Sequence, residues 1–385
     1  MDRSEPGIDA TGSRYGATSG GDCAFDAGGL RILRQPVAPA PQPVEVRPRQ
    51  GPVYAALDLG TNNCRLLLAR RPLPGQDPGA FRIIDSFCRI VRLGEGVSRE
   101  GRLAETAIAR TIAALRICRE KMRARHVSRA RLVATEACRA AANSGEFLER
   151  VHAATGLTLE IVDRETEAML ATAGCASLAD PEADGVVLFD IGGGSSEIVW
   201  LGAAGGRPGN GEDALRARVR AWDSMKLGVV SLAEKFGGKI VTPEIYEAMV
   251  AYVLDALAPF AAQVAKAPRG ARFHLLGTSG TVTTIAGVHL GLPRYDRRRV
   301  DGLWMSEAEI ATTVAVLRGM SYEERMMNGC IGSDRADLVL AGCAIFEAIR
   351  RTFPAERVRI ADRGLREGIL MQLMAADRMW SHDGY

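Results

Sequence analysis

GVVLFDIGGGSSEIVWLG, residues 185–202, reads as an apolar strand, a Gly/Ser turn and a second apolar strand. Asp190 ends the first strand, and Gly192 to Gly194 let the backbone turn tightly behind it. A turn of this kind exposes N–H groups that form a nest for phosphate oxygens. YAALDLGTNNCRLLLAR, residues 54–70, repeats the plan: strand, turn, strand, with Asp58-Leu-Gly matching Asp190-Ile-Gly. One such hairpin alone is better read as a plain glycine turn. Two of them, one in each half of the chain, point to two domains built alike, each bringing an aspartate and a phosphate nest. Neither turn has the spacing of a P-loop.

Between and beyond the hairpins, strands and helices alternate, which places the chain in the α/β class. FRIIDSFCRIVRLGEG (81–96) continues the first domain with strand-like alternation, and Leu103 to Arg125 has helical apolar spacing. ARLVATEACRAAAN (130–143) reads as a strand and a short helical turn. Asn143 then starts a helix with Glu146 in the capping-box position and Gly156 as its stop. LTLEIVD (157–163) reads as a strand, and Arg164 to Leu178 as a helix. RFHLLGTSGTVTTIAGV (272–288) is a strand, a Gly/Ser/Thr loop and a helix, so Gly277, Thr278, Ser279 and Gly280 form a third candidate phosphate loop at a helix N-terminus. The plain alternative is a capped helix start. Ser306 with Glu309, and Ser321 with Glu324, read as capping boxes, and VRIADRGLREGILMQLMAA (358–376) as a last strand and helix.

The chain has 385 residues, 47% hydrophobic and 25% charged, and a formal net charge of +3. That balance suits a soluble globular protein and is far too weak to argue for nucleic-acid binding. No stretch reads as a bilayer span, and the polar N-terminus has no basic-then-apolar leader pattern, so the expected location is the cytoplasm with no membrane partner. The eight cysteines form no CxxC pair and read as reduced thiols. Residues 1–52, rich in Gly, Pro and Ser and ending in PVAPAPQPVEVRPRQGP, read as a disordered tail.

Beyond this plan the residues carry a resemblance. ALDLGTNNCRLLLA (56–69), ATEACRAAANSGEFLERV (134–151), ETEAMLA (165–171), FDIGGGSSEIV (189–199), KLGVVSLAEKF (226–236), LLGTSGTVTTIAGV (275–288), DRADLVLAGCAIFEAI (334–349) and ADRGLREGIL (361–370) together resemble the exopolyphosphatase/guanosine pentaphosphate phosphohydrolase (Ppx/GppA) family of the actin-like superfamily. The resemblance implies two actin-like, ribonuclease H-like domains facing a central cleft. Domain I would span 53–166, with 362–385 packing back on it, and domain II 167–361. It implies hydrolysis of a terminal phosphoanhydride of polyphosphate, of guanosine pentaphosphate or of both, in a Mg²⁺-dependent homodimer serving the stringent response.

By the same resemblance Glu167 is the general base or water-orienting group, with Glu165 its rival. Read without the family, Glu167 is an exposed helix carboxylate. Asp58, Asp190 and Glu197 would hold Mg²⁺ or its waters. Thr61, Asn62, Gly192, Gly193, Gly194, Ser195, Ser196 and the 277–280 loop would bind phosphate oxygens. Of Arg89, Arg92 and Arg139, Arg89 and Arg139 are the candidate clamps, and Arg297 to Arg299 a candidate basic track. Asn63 stands where the family usually has serine, and the chain stops before the extra C-terminal helical domains of longer exopolyphosphatases. Two other readings are an ATP-dependent small-molecule kinase of the superfamily and a non-catalytic alarmone sensor. A kinase needs an acceptor-side base, for which no candidate stands out, and retention of Glu167, Asp190 and Glu197 argues against the sensor.

Overall fold

The computed structural model describes residues 51–71, 81–203, 212–266, 270 and 272–380, and the side chains of 212–214 and 378–380 fall outside this description. The expected tail, up to residue 50, lies outside the described residues. Gln50 to Tyr385 forms one compact unit.

Two sheets carry the fold. In the first, β1 (Val53–Leu59), β2 (Asn63–Arg70), β3 (Arg82–Ile90), β4 (Val127–Ala134) and β5 (Glu160–Ile161) lie in the order β3-β2-β1-β4-β5. In the second, β6 (Gly185–Ile191), β7 (Ser196–Gly202), β8 (Val219–Met225), β9 (Phe273–Thr278), β10 (Trp304–Ser306) and β11 (Arg357–Ala361) lie in the order β10-β11-β9-β6-β7-β8. Read from β8, the second sheet repeats the first: an antiparallel hairpin with a third antiparallel strand outside it, then two parallel neighbours, with β10 added at the edge. The duplication heard in the two Asp-Gly hairpins is therefore a duplication of topology.

The central strands β1 and β6 are buried along almost their whole length, as strands covered on both faces must be. One face of the first sheet packs Leu57, Leu66 and Leu68 against the helices Glu105–Ala124 and Ser144–Thr155, through Ile108, Leu115, Phe147 and Val151. Its other face packs Tyr54, Ala56 and Leu67 against Leu170 and against Ile369 and Leu370 of the C-terminal helix Leu365–Trp380. The second sheet buries Phe189, Ile198 and Trp200 under the helices Pro243–Val264 and Val339–Thr352, and its back face packs on Ala168 and Cys175. The helix Arg164–Cys175 thus touches both sheets: Leu170 sits on the first and Ala168 on the second. Glu167 directly precedes Ala168 and is one turn before Leu170, at the seam.

That seam is tight. A Cβ on Gly174 would lie 2.0 Å from the Gly364 carbonyl oxygen, and one on Gly368 would lie 2.0 Å from the Leu170 carbonyl oxygen. The two helices therefore cross backbone to backbone. Gly368→Ala is expected to destabilise the protein by about 1–3 kcal/mol, because the obstacle is main chain that cannot rotate away. Thermal unfolding checks this, and turnover should fall with it, since Leu170 is one turn from Glu167.

Local signals hold in part. Ser306 with Glu309 and Ser321 with Glu324 form the reciprocal capping boxes. Asn143 does not cap its helix: its side chain pairs instead with the backbone N–H and C=O of Leu103, tying two segments together, while Glu146 turns to Arg150. The strand expected over 157–163 shrinks to Glu160–Ile161. The helix Pro243–Val264, with mean hydropathy 1.4, is long and apolar enough by composition to cross a membrane, contrary to the sequence reading. It is amphipathic: Tyr246, Met249, Val253 and Leu257 are buried, and Glu244, Glu247 and Asp255 are exposed. Among the described cysteines all are free, six buried and Cys88 exposed.

Candidate active site

The two hairpin turns meet. A Cβ on Gly193 would come within 2.9 Å of Thr61 Cβ, and one on Gly194 within 2.7 Å of Thr61 Oγ1. No side chain larger than hydrogen fits there, so the glycines are required by close approach. Val229 and Val230 donate their N–H groups to the carbonyls of Gly192 and Gly193, which pins the second turn from behind. Gly94, Val91 and Arg92 donate to the Thr61 and Asn62 carbonyls and pin the first. The third loop joins them across the cleft. Ser279 there takes the left-handed φ of 93°, unusual for a non-glycine residue, and its hydroxyl has no hydrogen-bond partner.

The three loops line one cavity of about 120 Å³ together with Asp58, Arg65, Glu167, Asp190, Glu197 and Arg335. At about 10–15 Å³ per water, that is room for several waters or for a short run of phosphate oxygens. The amide oxygens of Asn62 and Asn63 are also buried without partners. Buried polar atoms left unpaired are rare unless solvent or a ligand meets them.

The cavity holds charge of both signs. Asp163 caps the helix Arg164–Cys175 by accepting from the Thr166 N–H at 2.7 Å, which sets Glu167 in the first turn. Burial pushes Glu167 up to about 7, against the pull of Arg139, whose guanidinium is 2.7 Å away. Burial lifts Asp190 to about 6, with Asp58 adding and Arg65 opposing. Burial also raises Asp58. Glu197, opposite Asp190 in the hairpin and accepting from the Ser224 hydroxyl at 2.9 Å, is driven well up by burial and then by Glu167 and Asp190. On the other side, burial and then the charge of Arg65 disfavour the Arg335 guanidinium. Even with Arg139 and Arg65 at hand, burial holds Glu167, Asp190 and Glu197 above the ordinary carboxylate range, and a cluster of such perturbed groups lining one cavity marks a candidate functional site.

Among the described residues no three acidic, His or Cys side chains are gathered into a cage that would hold a metal alone. Mg²⁺ rarely needs one: it keeps waters and takes one or two carboxylates plus substrate phosphates. Asp58 and Asp190 are hard oxygen donors that repel each other in a buried cleft, and they fit that role.

Asp58, Thr61, Asn62, Glu167, Asp190, Gly192, Gly193, Gly194, Ser195, Glu197, Ser279 and Gly280 come together around the cavity. The others stand elsewhere. Gly277 is a packing glycine whose Cβ would strike the Phe189 ring at 2.5 Å, Thr278 donates to the Arg363 carbonyl, and Ser196 is strand interior. Arg89 is exposed on β3 over the Phe87 ring. Arg139 is next to the cavity but its donors are committed to Glu136, the Val162 carbonyl and Glu167. Burial works against its charge and Glu167 and Glu136 restore it, so its guanidinium is held against those two carboxylates. Arg297 is spent on Glu367 and the Asp362 carbonyl. The cavity's own arginines, Arg65 and Arg335, were missed. Arg65 had a signal: it pairs across the first hairpin with Asp58 as Glu197 pairs with Asp190 across the second.

The Ppx/GppA phosphatase family model matches residues 75–377. The chain belongs to the Ppx/GppA phosphatase family. It is 28% identical over 330 residues to exopolyphosphatase 2 of Mycobacterium tuberculosis, covering 83% of this chain and 98% of that one. It is 26% identical over 339 residues to the guanosine-5'-triphosphate,3'-diphosphate pyrophosphatase of Photobacterium profundum, covering 86% of this chain but 61% of that longer one. Among solved structures, the Aquifex aeolicus member of the family matches with a TM-score of 0.66 at 30% identity, over 85% of this chain and 98% of that one. The two sheets of shared topology are thus the two halves of an actin-like fold.

Proposed function

We propose that this Ppx/GppA member hydrolyses the terminal phosphoanhydride bond of inorganic polyphosphate or of guanosine pentaphosphate, releasing orthophosphate. The observation that carries the reading is the cavity itself: two abutting turns and a helix N-terminus line it with Glu167, together with Asp58, Asp190, Glu197, Arg65 and Arg335. Relatives named for each of the two substrates support the reaction class.

In this reading the terminal phosphate lies between the Thr61–Asn62 turn, the Gly192–Ser195 turn and the Ser279–Gly280 loop. Asp58 and Asp190 would hold Mg²⁺, which supplies positive charge to the phosphate oxygens. Arg65 and Arg335 stabilise the charge that spreads over those oxygens as the bond breaks. Glu167 accepts a hydrogen bond from the attacking water and takes its proton, while Arg139 fixes the carboxylate's direction. Water adds to phosphorus, the bridging oxygen leaves with the shortened chain, and the products are orthophosphate and a chain one phosphate shorter.

The test is phosphate release by purified protein with Mg²⁺, from long-chain polyphosphate and from guanosine pentaphosphate in parallel. Release from polyphosphate alone marks an exopolyphosphatase, and comparable release from guanosine pentaphosphate an alarmone phosphohydrolase. Release from neither refutes the reading. The turns recognise charge and geometry common to both substrates, so the assay and not the nests distinguishes them.

A further inference from the structure

Arg92 has the left-handed φ of 47° outside any phosphate turn. It lies in the segment after β3, which touches the two elements that must face each other across a bound phosphate. On one side, the Val91 and Arg92 N–H groups donate to the Asn62 carbonyl at 2.9 and 3.0 Å, and the Gly94 N–H to the Thr61 carbonyl at 2.9 Å. A Cβ on Gly94 would sit 2.3 Å from Thr61 Cγ2, so the segment lies directly on the first phosphate turn.

On the other side, the Arg92 guanidinium grips the loop that leads into the helix Val339–Thr352. Its two terminal nitrogens donate to the two carboxylate oxygens of Asp337, each at 3.0 Å, and one also donates to the Asp334 carbonyl at 3.1 Å. Between those two aspartates stands Arg335. Its guanidinium nitrogen would be 3.3 Å from a Cβ on Gly280, over the third phosphate loop. Further along the segment, the Gly96 N–H and the Ser98 hydroxyl both donate to Glu234. One short stretch of backbone thus ties the Thr61–Asn62 turn to the loop bearing Arg335, from opposite halves of the molecule.

We propose that Arg92 is a positioning residue: its bidentate clamp on Asp337 sets the distance between the Thr61–Asn62 turn and the Arg335 guanidinium, and so the grip on the terminal phosphates. A planar fork on a carboxylate fixes direction as well as distance, which a flexible ammonium does not. The outlier φ has a place in this account. The left-handed turn at residue 92 accompanies a geometry in which two successive N–H groups share the Asn62 carbonyl while the side chain reaches the other half.

This inference rests on the reading of the cavity as a phosphate site, and binding tests it without catalysis. The probe is inorganic tripolyphosphate, titrated calorimetrically at low salt into the wild type, Arg92→Gly, Arg335→Ala and the double variant. Glycine adopts the observed φ without strain, so Arg92→Gly removes the clamp and spares the turn. The expected result is an affinity on the order of tenfold weaker for Arg92→Gly, with an unchanged unfolding midpoint. In the Arg335→Ala background the same change should have no further effect, because Arg92 acts through Arg335. Arg92→Lys should recover little, and Asp337→Asn should weaken binding in the same direction. Additive losses at 92 and 335, an unchanged affinity in Arg92→Gly, or a wild type that does not bind the probe overturns the proposal. A wild type that binds tripolyphosphate with the expected coupling, yet releases no phosphate from any substrate, refutes hydrolysis and leaves the clamp standing.

Discussion

Glu167→Gln should lower phosphate release by about a hundred- to ten-thousandfold, the range in which a positioned general base contributes, while folding and substrate affinity stay near wild type. The substitution keeps the side chain's length and its place in the first turn after Asp163. It removes the acceptor for the water's proton and the ion pair with Arg139. The same residue predicts a pH profile. As a base it must be ionised, and burial lifts it to about 7 despite Arg139, before any metal ion approaches. Activity should therefore rise with pH along a limb lying above the ordinary glutamate range, and bound cations should draw that limb downward. In Glu167→Gln the limb should vanish from whatever activity remains. Near-normal turnover in that variant, with a retained limb, would transfer the role to another group. Glu165 is the comparison: Glu167, two residues on, lines the cavity and Glu165 does not, so Glu165→Gln should change little.

How legible this site was in the sequence varied with the kind of interaction. The hairpins could be read because Asp-x-Gly between two apolar runs is a local pattern, and its recurrence at 58 and 190 announced two like halves. Glu167 could not be read locally. A carboxylate in the first helical turn is ordinarily solvated, and only the packing of Leu170 and Ala168 on different sheets buries it. The arginines show the limit most clearly. Arginines are plentiful here, and nothing in the neighbourhood of Arg89 or Arg139 tells a clamp from a surface or a second-layer group. What separates them is which donors are already spent, a property of three-dimensional pairing. Arg139 is used up by Glu136, Val162 and Glu167, whereas Arg65 and Arg335 line the cavity. Asn143 failed as a cap for a related reason: its amide found both polar groups of Leu103, forty residues away in sequence, a better bargain than one helix N–H. Local chemistry specifies turns and caps, and long-range pairing decides which charges remain for a ligand.

Asp190→Asn is expected to raise stability while it destroys activity. The native carboxylate is buried and stands near Asp58, and its affinity for the proton rises from the ordinary 3.8 to about 6. An acid whose folded-state value is raised favours the fold when protonated. Its penalty begins as pH climbs through the unfolded value near 4 and is complete above about 6. At pH 8 in a chelator, the charge therefore costs on the order of 2–3 kcal/mol, from about two units at 1.36 kcal/mol each. Asparagine keeps the shape and never ionises, so the variant should melt several degrees higher at pH 8 and should lose that advantage near pH 4. Phosphate release should fall by at least about a hundredfold, as it does when a group that neutralises transition-state charge is removed. Mg²⁺ supplies the discriminating control. It should stabilise the wild type strongly and the variant weakly, narrowing the difference between them, because the variant keeps only one of the two aspartates placed to meet the cation. Should the variant melt below wild type in chelator at pH 8, Asp190 would instead be held by pairing that favours its charge, with Arg65 outweighing burial, and the account of a cleft strained for want of a cation would fail.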